Sequence, residues 1–562
     1  MAGIASASVS VRHADAFQAS GQYAATVIGQ GNFTSRIAGL SPQNLYQPFR
    51  PTFDSSGDLW VGDEADHRVV EFMPPLTDGE PASLEIGELN FAEGATNGSL
   101  PASQDTLFGP VAVAFDKSGD LWVADFVYNR VTEYKPPFED GMNASLELGQ
   151  PAGSSQFTKH PAQSPSMGLN APVALAFDSA GDLWVVDRGN NRLVEYAPPF
   201  VSGQTPSLVV GQPSLNSSAG ATTQSGLNGP ESAAFDSSGN LWVVDEGNDR
   251  VLEYGNSSLE SDGPRAVLEL GQRAGPGEFV SNGSEVSRST FGAPMGVAVS
   301  PWGDLLVSDR SGNRILGFEP PFSDGMNASY EIGQHAGPSQ FAAAPASVTQ
   351  NGLHNPLGLA FDPSGNVWVA DQLNARVLEF SSLAAVTSGT DVSATATGAS
   401  DNESSTTGLS MSVKETSSAS VNFYSAKLSA QPPGSGTLPL SGSRVFYQAK
   451  VSGGSGDVAI CVRDPRASNS TSMMFFDGAS WIGAGDLKAT SGGSICGDVP
   501  SATLSSLTLL AVTEAPGPPL ASPLLQAAAL LAAAVAFGTI SYIVLKTRPA
   551  GSKTGQRREI LV

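Results

Sequence analysis

The chain is 562 residues long, more than one hydrophobic core usually organises, and its 62 Gly, 39 Pro and 40% hydrophobic residues suit many short strands joined by tight turns rather than a disordered chain. Acidic residues outnumber basic ones 54 to 29, for a net charge of −25, and five of the basic ones (Lys546, Arg548, Lys553, Arg557 and Arg558) fall in the last 17 residues. So acidic a surface argues against nucleic acid as a partner and leaves cations, basic partners or plain solubility as its meaning.

Residues 1–21 form an N-terminal segment in which no basic start is followed by an apolar core, so no signal peptide is legible there. From about residue 22 to residue 380 the sequence repeats itself six times. One block reads FDSSGDLWVGDEADHRVVEF from Phe53 and returns from Phe115, Phe177, Phe235, Val299 and Phe361, the last as FDPSGNVWVADQLNARVLEF. Its closing Asp recurs at Asp63, Asp125, Asp187, Asp245, Asp309 and Asp371, so the period is close to 62 residues. Each block predicts three antiparallel strands: a small-residue strand such as Val173–Phe177, an aromatic strand such as Leu183–Val186, and Arg192–Tyr196. A second repeated element ending in Gly, at Gly29, Gly87, Gly149, Gly211, Gly271 and Gly333, supplies a fourth, outer strand such as Ala144–Gly149. Four strands repeated six times predict an all-β fold, a six-bladed β-propeller. The last block has no outer element after it while one precedes the first block, so Ala25–Gln30 is expected to complete the sixth blade.

Every closing Asp is followed five residues later by Arg, giving the pairs Asp63/Arg68, Asp125/Arg130, Asp187/Arg192, Asp245/Arg250, Asp309/Arg314 and Asp371/Arg376. An active site is made once and this pair is made six times, so it is expected to pin the hairpin between second and third strands. The four turn residues between Asp and Arg differ from copy to copy. Variable tips on a repeated frame predict a binding surface there, with His67, Phe126, Tyr128, Arg188, Glu246, Arg310 and Gln372 as its candidates.

The Gly-Asp/Asn-Leu-Trp-Val-x-Asp segment, the following Asn-x-Arg with its aromatic, and the preceding Pro110, Pro172, Pro230, Pro294 and Pro356 resemble the NHL-repeat family over about residues 22–380. The chain departs from that pattern in its long loops and in the fifth copy, where Leu306 stands for Trp. The resemblance implies the propeller fold and leaves activity open, since the family includes binding scaffolds and a few lyases or hydrolases. The five histidines (His13, His67, His160, His335 and His354) show no metal-binding spacing, so no catalytic residue, metal ligand or cofactor is assigned, and Ca²⁺ in the central channel stays open.

Residues 381–418 read as a Ser/Thr-rich linker and 419–515 as a small β-sandwich-like domain with the chain's only cysteines, Cys461 and Cys496. Those two read as a disulfide or as two buried thiols. Residues 520–545 carry no charge and at about 1.5 Å per residue would reach past a bilayer's roughly 30 Å core, which predicts one transmembrane helix. The basic tail 546–562 then lies in the cytoplasm and the propeller outside the cell membrane. Nine glycosylation sequons accompany that topology, at Asn32, Asn97, Asn143, Asn216, Asn256, Asn282, Asn327, Asn402 and Asn469. The function expected is a membrane-anchored cell-surface binding or adhesion scaffold for a protein, peptide or glycan. An extracytoplasmic lyase or hydrolase with a metal in the channel is the competing class, and a structural envelope component is third.

Overall fold

The computed structural model describes residues 22–381 apart from 89, 92–100, 152, 154–155, 159–167, 273–278, 281–282, 284, 334–340 and 344, and beyond 381 the backbone of a set of strands. The chain divides into two compact units, of which the propeller is one.

Each repeat becomes one antiparallel four-stranded sheet. From the innermost strand outward, blade 1 is Pro48–Phe53, Leu59–Asp63, Arg68–Phe72 and Leu84–Ile86. Blade 2 is Pro110–Phe115, Leu121–Asp125, Arg130–Tyr134 and Leu146–Leu148, and blade 3 is Pro172–Phe177, Leu183–Asp187, Arg192–Tyr196 and Leu208–Val210. Blade 4 is Pro230–Phe235, Leu241–Asp245, Arg250–Tyr254 and Leu268–Leu270, and blade 5 is Pro294–Val299, Leu305–Asp309, Arg314–Phe318 and Tyr330–Ile332. Blade 6 takes Pro356–Phe361, Val367–Asp371 and Arg376–Phe380 from its own repeat and Thr26–Ile28 from the other end of the propeller. Innermost strands of successive blades lie against one another all the way round, blade 6 meeting blade 1.

Local chemistry explains the boundaries. Every innermost strand starts on Pro, which donates no amide hydrogen and so suits a strand's first position. In the turn after the innermost strand of blade 3, Asp178 Oδ1 accepts the N–H groups of Ala180, Gly181 and Asp182, while Gly181 takes a φ of 98° that other residues resist. The outer strands are shorter than the repeated element suggests: Leu146–Leu148 stops before Gly149, whose φ of 85° turns the chain out of the sheet.

Packing between blades is as repetitive as the blades. The Trp of one second strand meets edge-on the Phe that ends the next blade's innermost strand, at 5.6 Å for Trp60 and Phe115, 6.1 Å for Trp122 and Phe177, and 6.0 Å for Trp184 and Phe235. Across the ring's closure the same contact recurs between Trp368 and Phe53 at 5.7 Å. Blade 5 has Leu306 and Val299 at the two positions. There Trp302, in the turn, meets Phe361 of blade 6 instead at 6.3 Å, and Phe322 packs on Trp242 at 4.9 Å.

Beyond the propeller, the described strands form a seven-stranded and a five-stranded sheet. Three of them, Ala384–Val386, Asp391–Ala396 and Gly408–Lys414, fall in the stretch read as a linker. Antiparallel register sets Cys461 of Asp457–Arg463 opposite Cys496 of Ser494–Pro500. Of the expected transmembrane helix, 520–540 lie outside the described residues and the rest falls in the strand Ser541–Lys546. Among the described residues no helix is long and apolar enough to cross a membrane.

Ring closure gives a direct test. Thr26, Val27 and Ile28 pair with Glu379, Leu378 and Val377, and Val27 and Ile28 are fully buried, each contributing about 1.5–3 kcal/mol as an upper value. Deleting residues 1–30 exposes the edge of Arg376–Phe380 and is expected to lower the melting temperature by many degrees in calorimetry; an unchanged melt would show that the ring closes without this strand.

Candidate functional site

All six Asp/Arg pairs form, with both side chains almost wholly buried. In blade 3, Arg192 Nε donates to Asp187 Oδ2 at 2.7 Å, and the other carboxylate oxygen accepts the Asn170 N–H at 2.7 Å. Asn190 adds a third donor at 2.8 Å, while the Arg192 Nη groups donate to the carbonyls of Leu215 and Gly168. The pair thus fixes the tip turn, the start of the innermost strand and the long loops. Burial raises the carboxyl of the blade 4 copy, Asp245, to about 6, against the pull of Arg250, the Asn228 amide and Asn248.

The first tip residue of each blade, directly after the Asp, is half-buried, and every tip donates a backbone N–H to a carbonyl just before its own innermost strand, which sets Glu64, Phe126, Arg188, Glu246, Arg310 and Gln372 at the channel mouth. On blades 3, 4 and 5 they join. Arg188 Nε donates to Glu231 of the blade 4 innermost strand, and its Nη2 lies 3.8 Å from Glu246 Oε2. Arg310 Nη2 donates to the other Glu246 oxygen at 3.0 Å. One carboxylate therefore holds two guanidinium groups, whose side chains stay 40% and 37% exposed. Burial raises the Glu246 carboxyl while both arginines lower it. Phe126 packs against the buried cluster that includes Val111, Ala112, Val173 and Ala174, and Gln372 accepts from Asn355 Nδ2.

The fourth tip position does something else. His67, Asn129, Asn191, Asp249 and Asn313 all have φ between 51° and 57°, and each side chain accepts an N–H just before the next blade's innermost strand. The donors are Gly109 (3.2 Å to His67 Nδ1), Ala171, Gly229, Ala293 and Asn355. His67 is therefore a clamp between blades, not part of the charged mouth. It also meets Phe108 edge-on at 4.5 Å, and Phe108 meets Tyr128 at 5.5 Å, so Tyr128 belongs to this aromatic cluster, its phenol raised by burial.

Beneath the mouth the channel is closed by Arg50. The third residue of the innermost strand is Ala112, Ala174, Ser232, Gly296 and Gly358 in five blades and Arg50 in blade 1. Its guanidinium crosses the ring: Nη1 donates to the Val173 carbonyl at 2.6 Å, and Nη2 to those of Glu231 at 2.6 Å and Met295 at 3.3 Å. The Glu231 carboxylate lies 3.6 Å away. A Cβ on Gly358 would come within 2.4 Å of Arg50 Cγ, so blade 6 needs glycine there. Burial lowers the Arg50 pKa, opposed chiefly by Glu231. In the blade 1 tip the sequence pointed to His67 rather than Glu64, while Arg50 and Glu231 lie in strands outside the variable tips; aligned by position, the six copies mark Arg50 and Glu231 as the exceptions of their columns.

Channel carbonyls and a carboxylate are the donor set a hard cation takes, and here a guanidinium already uses them. Two carboxylate groups elsewhere, Asp116/Asp120/Glu133 and Asp178/Asp182/Glu195, have oxygens within 4.8 Å of one another. Their aspartates are turn residues and Glu133 and Glu195 lie in the neighbouring third strands: Asp116 and Asp178 cap their own turns, and Lys135 pairs with Asp120 and Glu133. The sequon residues Asn32, Asn143, Asn216, Asn256 and Asn327 are exposed; Asn97, Asn282, Asn402 and Asn469 lie outside the described residues.

No family model and no curated protein matches the chain. Among solved structures it is similar to a streptogramin B lyase (12% identity, 62% of this chain and 96% of that one, TM-score 0.35). It is also similar to an auxiliary nutrient binding protein from Bacteroides ovatus (14%, 65% and 77%, TM-score 0.40). A gluconolactonase from Xanthomonas campestris gives 16% identity over 64% of this chain and 98% of that one, with a TM-score of 0.36. None of the three lends this chain an activity.

Two outcomes follow from the frame. Asp187→Ala strands a buried guanidinium and is expected to cost about 3–5 kcal/mol in chemical denaturation, whereas a change within about 1 kcal/mol would show that water relieves Arg192. Burial is the main cause that depresses the His67 pKa, so the folded state resists protonation. Stability that is full above the unfolded value of about 6.5 should then decline as pH falls below it. His67→Asn keeps the acceptor and removes the titration, so its melting temperature should fall less between pH 7 and 5 than that of the parent; parallel profiles would refute the clamp's titration.

Proposed function

We propose that the chain is a non-enzymatic binding module, a propeller of the NHL-repeat type carried on the outside of a cell membrane by a C-terminal span, and that it captures its ligand at the channel mouth. The observation that carries this reading is the convergence of Arg188 and Arg310 on Glu246: half-exposed guanidinium groups on rigid tips, fixed in direction yet open to solvent. Arginine on a preorganised surface is a frequent anchor of recognition. The alternative of a lyase or hydrolase with a channel metal is disfavoured by Arg50, whose guanidinium spends the carbonyls of three blades. Exposure of the five described sequon residues is in keeping with an extracytoplasmic location.

Peptide and glycan arrays probed with the purified full-length protein supply a ligand, and the double variant Arg188→Ala/Arg310→Ala then tests the site. The expected result is at least about tenfold weaker capture with a melt within a few degrees of the parent. Full capture by that variant would move recognition to the opposite face or to the C-terminal unit. Membrane anchoring is checked separately: the protein should stay in the membrane through carbonate extraction, and protease added to intact cells should remove the propeller.

A further inference from the structure

The mouth has two unlike sides. Blades 3, 4 and 5 carry Arg188, Glu246 and Arg310, with Glu231 and the Arg50 guanidinium below them. Blade 1, directly across a six-membered ring from blade 4, carries Glu64. Among the described residues the Glu64 carboxylate has neither an ion-pair nor a hydrogen-bond partner, and burial alone raises its pKa. Its Cγ lies against the chain at Gly109 on the rim of blade 2. The blades flanking blade 1 offer only the uncharged Phe126 and Gln372 at the same position.

Donors can be counted on the other side. In the six frame pairs the arginines bury their donors in carbonyls, as Arg376 does with those of Phe33, Thr349 and Gly352. Arg188 spends Nε and Nη2 on Glu231 and Glu246, and Arg310 spends Nη2 on Glu246; Asp249 acts on Arg310's side but gives an oxygen to the Ala293 amide. Arg188 Nη1 and the Nε and Nη1 of Arg310 are left as donors for a ligand carboxylate.

A bare anion would meet these donors but approach a protein of net charge −25. A bare cation would meet Glu64 but face two arginines. A molecule with both charges and no net charge incurs neither penalty and satisfies both sides. We propose that the mouth binds a zwitterion of the amino-acid type, its carboxylate on the free donors of Arg188 and Arg310 and its ammonium on Glu64. Arg50 closes the channel beneath, so the ligand lies across the mouth rather than threading it. This rests on the mouth being the ligand site, and it adds the ligand's charge pattern.

The probes are ω-amino acids from glycine to 6-aminohexanoate, each with its N-acetyl and methyl-ester forms, titrated calorimetrically into the full-length protein. One chain length should bind best, and acetylating its amine or esterifying its acid should each weaken binding about tenfold or more. Glu64 touches no partner, so Glu64→Gln should melt like the parent, bind the zwitterion as weakly as the parent binds the acetylated form, and leave the acetylated form unaffected. Arg310→Gln should reproduce the effect of the ester. The proposal is overturned if the acetylated and free amines bind alike, if Glu64→Gln changes nothing, or if no member of the series binds. If the series fails while Arg188→Ala/Arg310→Ala still abolishes capture of an array ligand, the mouth remains the site and only its zwitterionic character falls.

Discussion

The propeller depends on a charge pair that is expensive to bury. Removing a carboxylate and a guanidinium from water costs several kcal/mol per ion, and attraction between them offsets this only when the remaining donors and acceptors are also filled. Each blade meets that condition with backbone groups from afar. Asp371 takes the His354 amide, and Arg376 reaches carbonyls 24 and 27 residues upstream as well as Phe33 near the start of the propeller. The long loops between blades are therefore tied down at fixed points by one buried pair. The first two tip positions can vary above it, because in blades 3, 4 and 6 the tip is tied to the Asp by its third side chain, Asn190, Asn248 or Asn374.

Repetition creates a problem that the same frame cannot solve. Six equal blades offer six equal places, and a ligand without sixfold symmetry needs one of them to differ. The difference starts in the innermost strands, where five small residues leave room and Arg50 fills it. Glu231, the only charged residue in its column, lies between Arg50 and Arg188 and so links the channel plug to the mouth. Gly358 completes the arrangement from blade 6 by removing the side chain that would strike Arg50.

Much of this was legible in the sequence and some was not, for reasons that differ by residue. Period, strand order and the closing N-terminal strand were readable because hydrophobic alternation and Gly-bounded turns are local signals. The tips were readable as variable, but variability mixed two environments. Position one faces the mouth, whereas position four, where His67 stands, is an inter-blade clamp whose constant requirement is a side-chain acceptor on a left-handed residue. Asn, Asp and His all meet that requirement, so a constant physical role looked like the variability of a binding surface. Arg50 sat in a strand judged uniform, and its partners lie 123 to 245 residues away, beyond any local pattern.

The join between blades 6 and 1 shows why the exception falls on blade 1. Five junctions carry the side-chain clamp, but at the sixth the clamp position is Ala375, which offers no acceptor. That junction is also where the two ends of the propeller chain meet, held by three residues of one strand, by the Trp368 and Phe53 contact and by Gln30 donating to the Ala375 carbonyl. The clamp missing at that seam has to be replaced by other contacts, and the innermost strands of blades 6 and 1 lie against each other there as they do elsewhere in the ring. Arg50 lies just past the seam and hydrogen-bonds to blades 3, 4 and 5, across the ring from it. For blade 1 to swing away, those charge-assisted hydrogen bonds must break along with the neighbour contacts. The residue that closes the channel therefore also braces the seam, through the carbonyls of Val173, Glu231 and Met295, and its ion pair with the Glu231 carboxylate joins it to the side chain that orients Arg188 at the mouth.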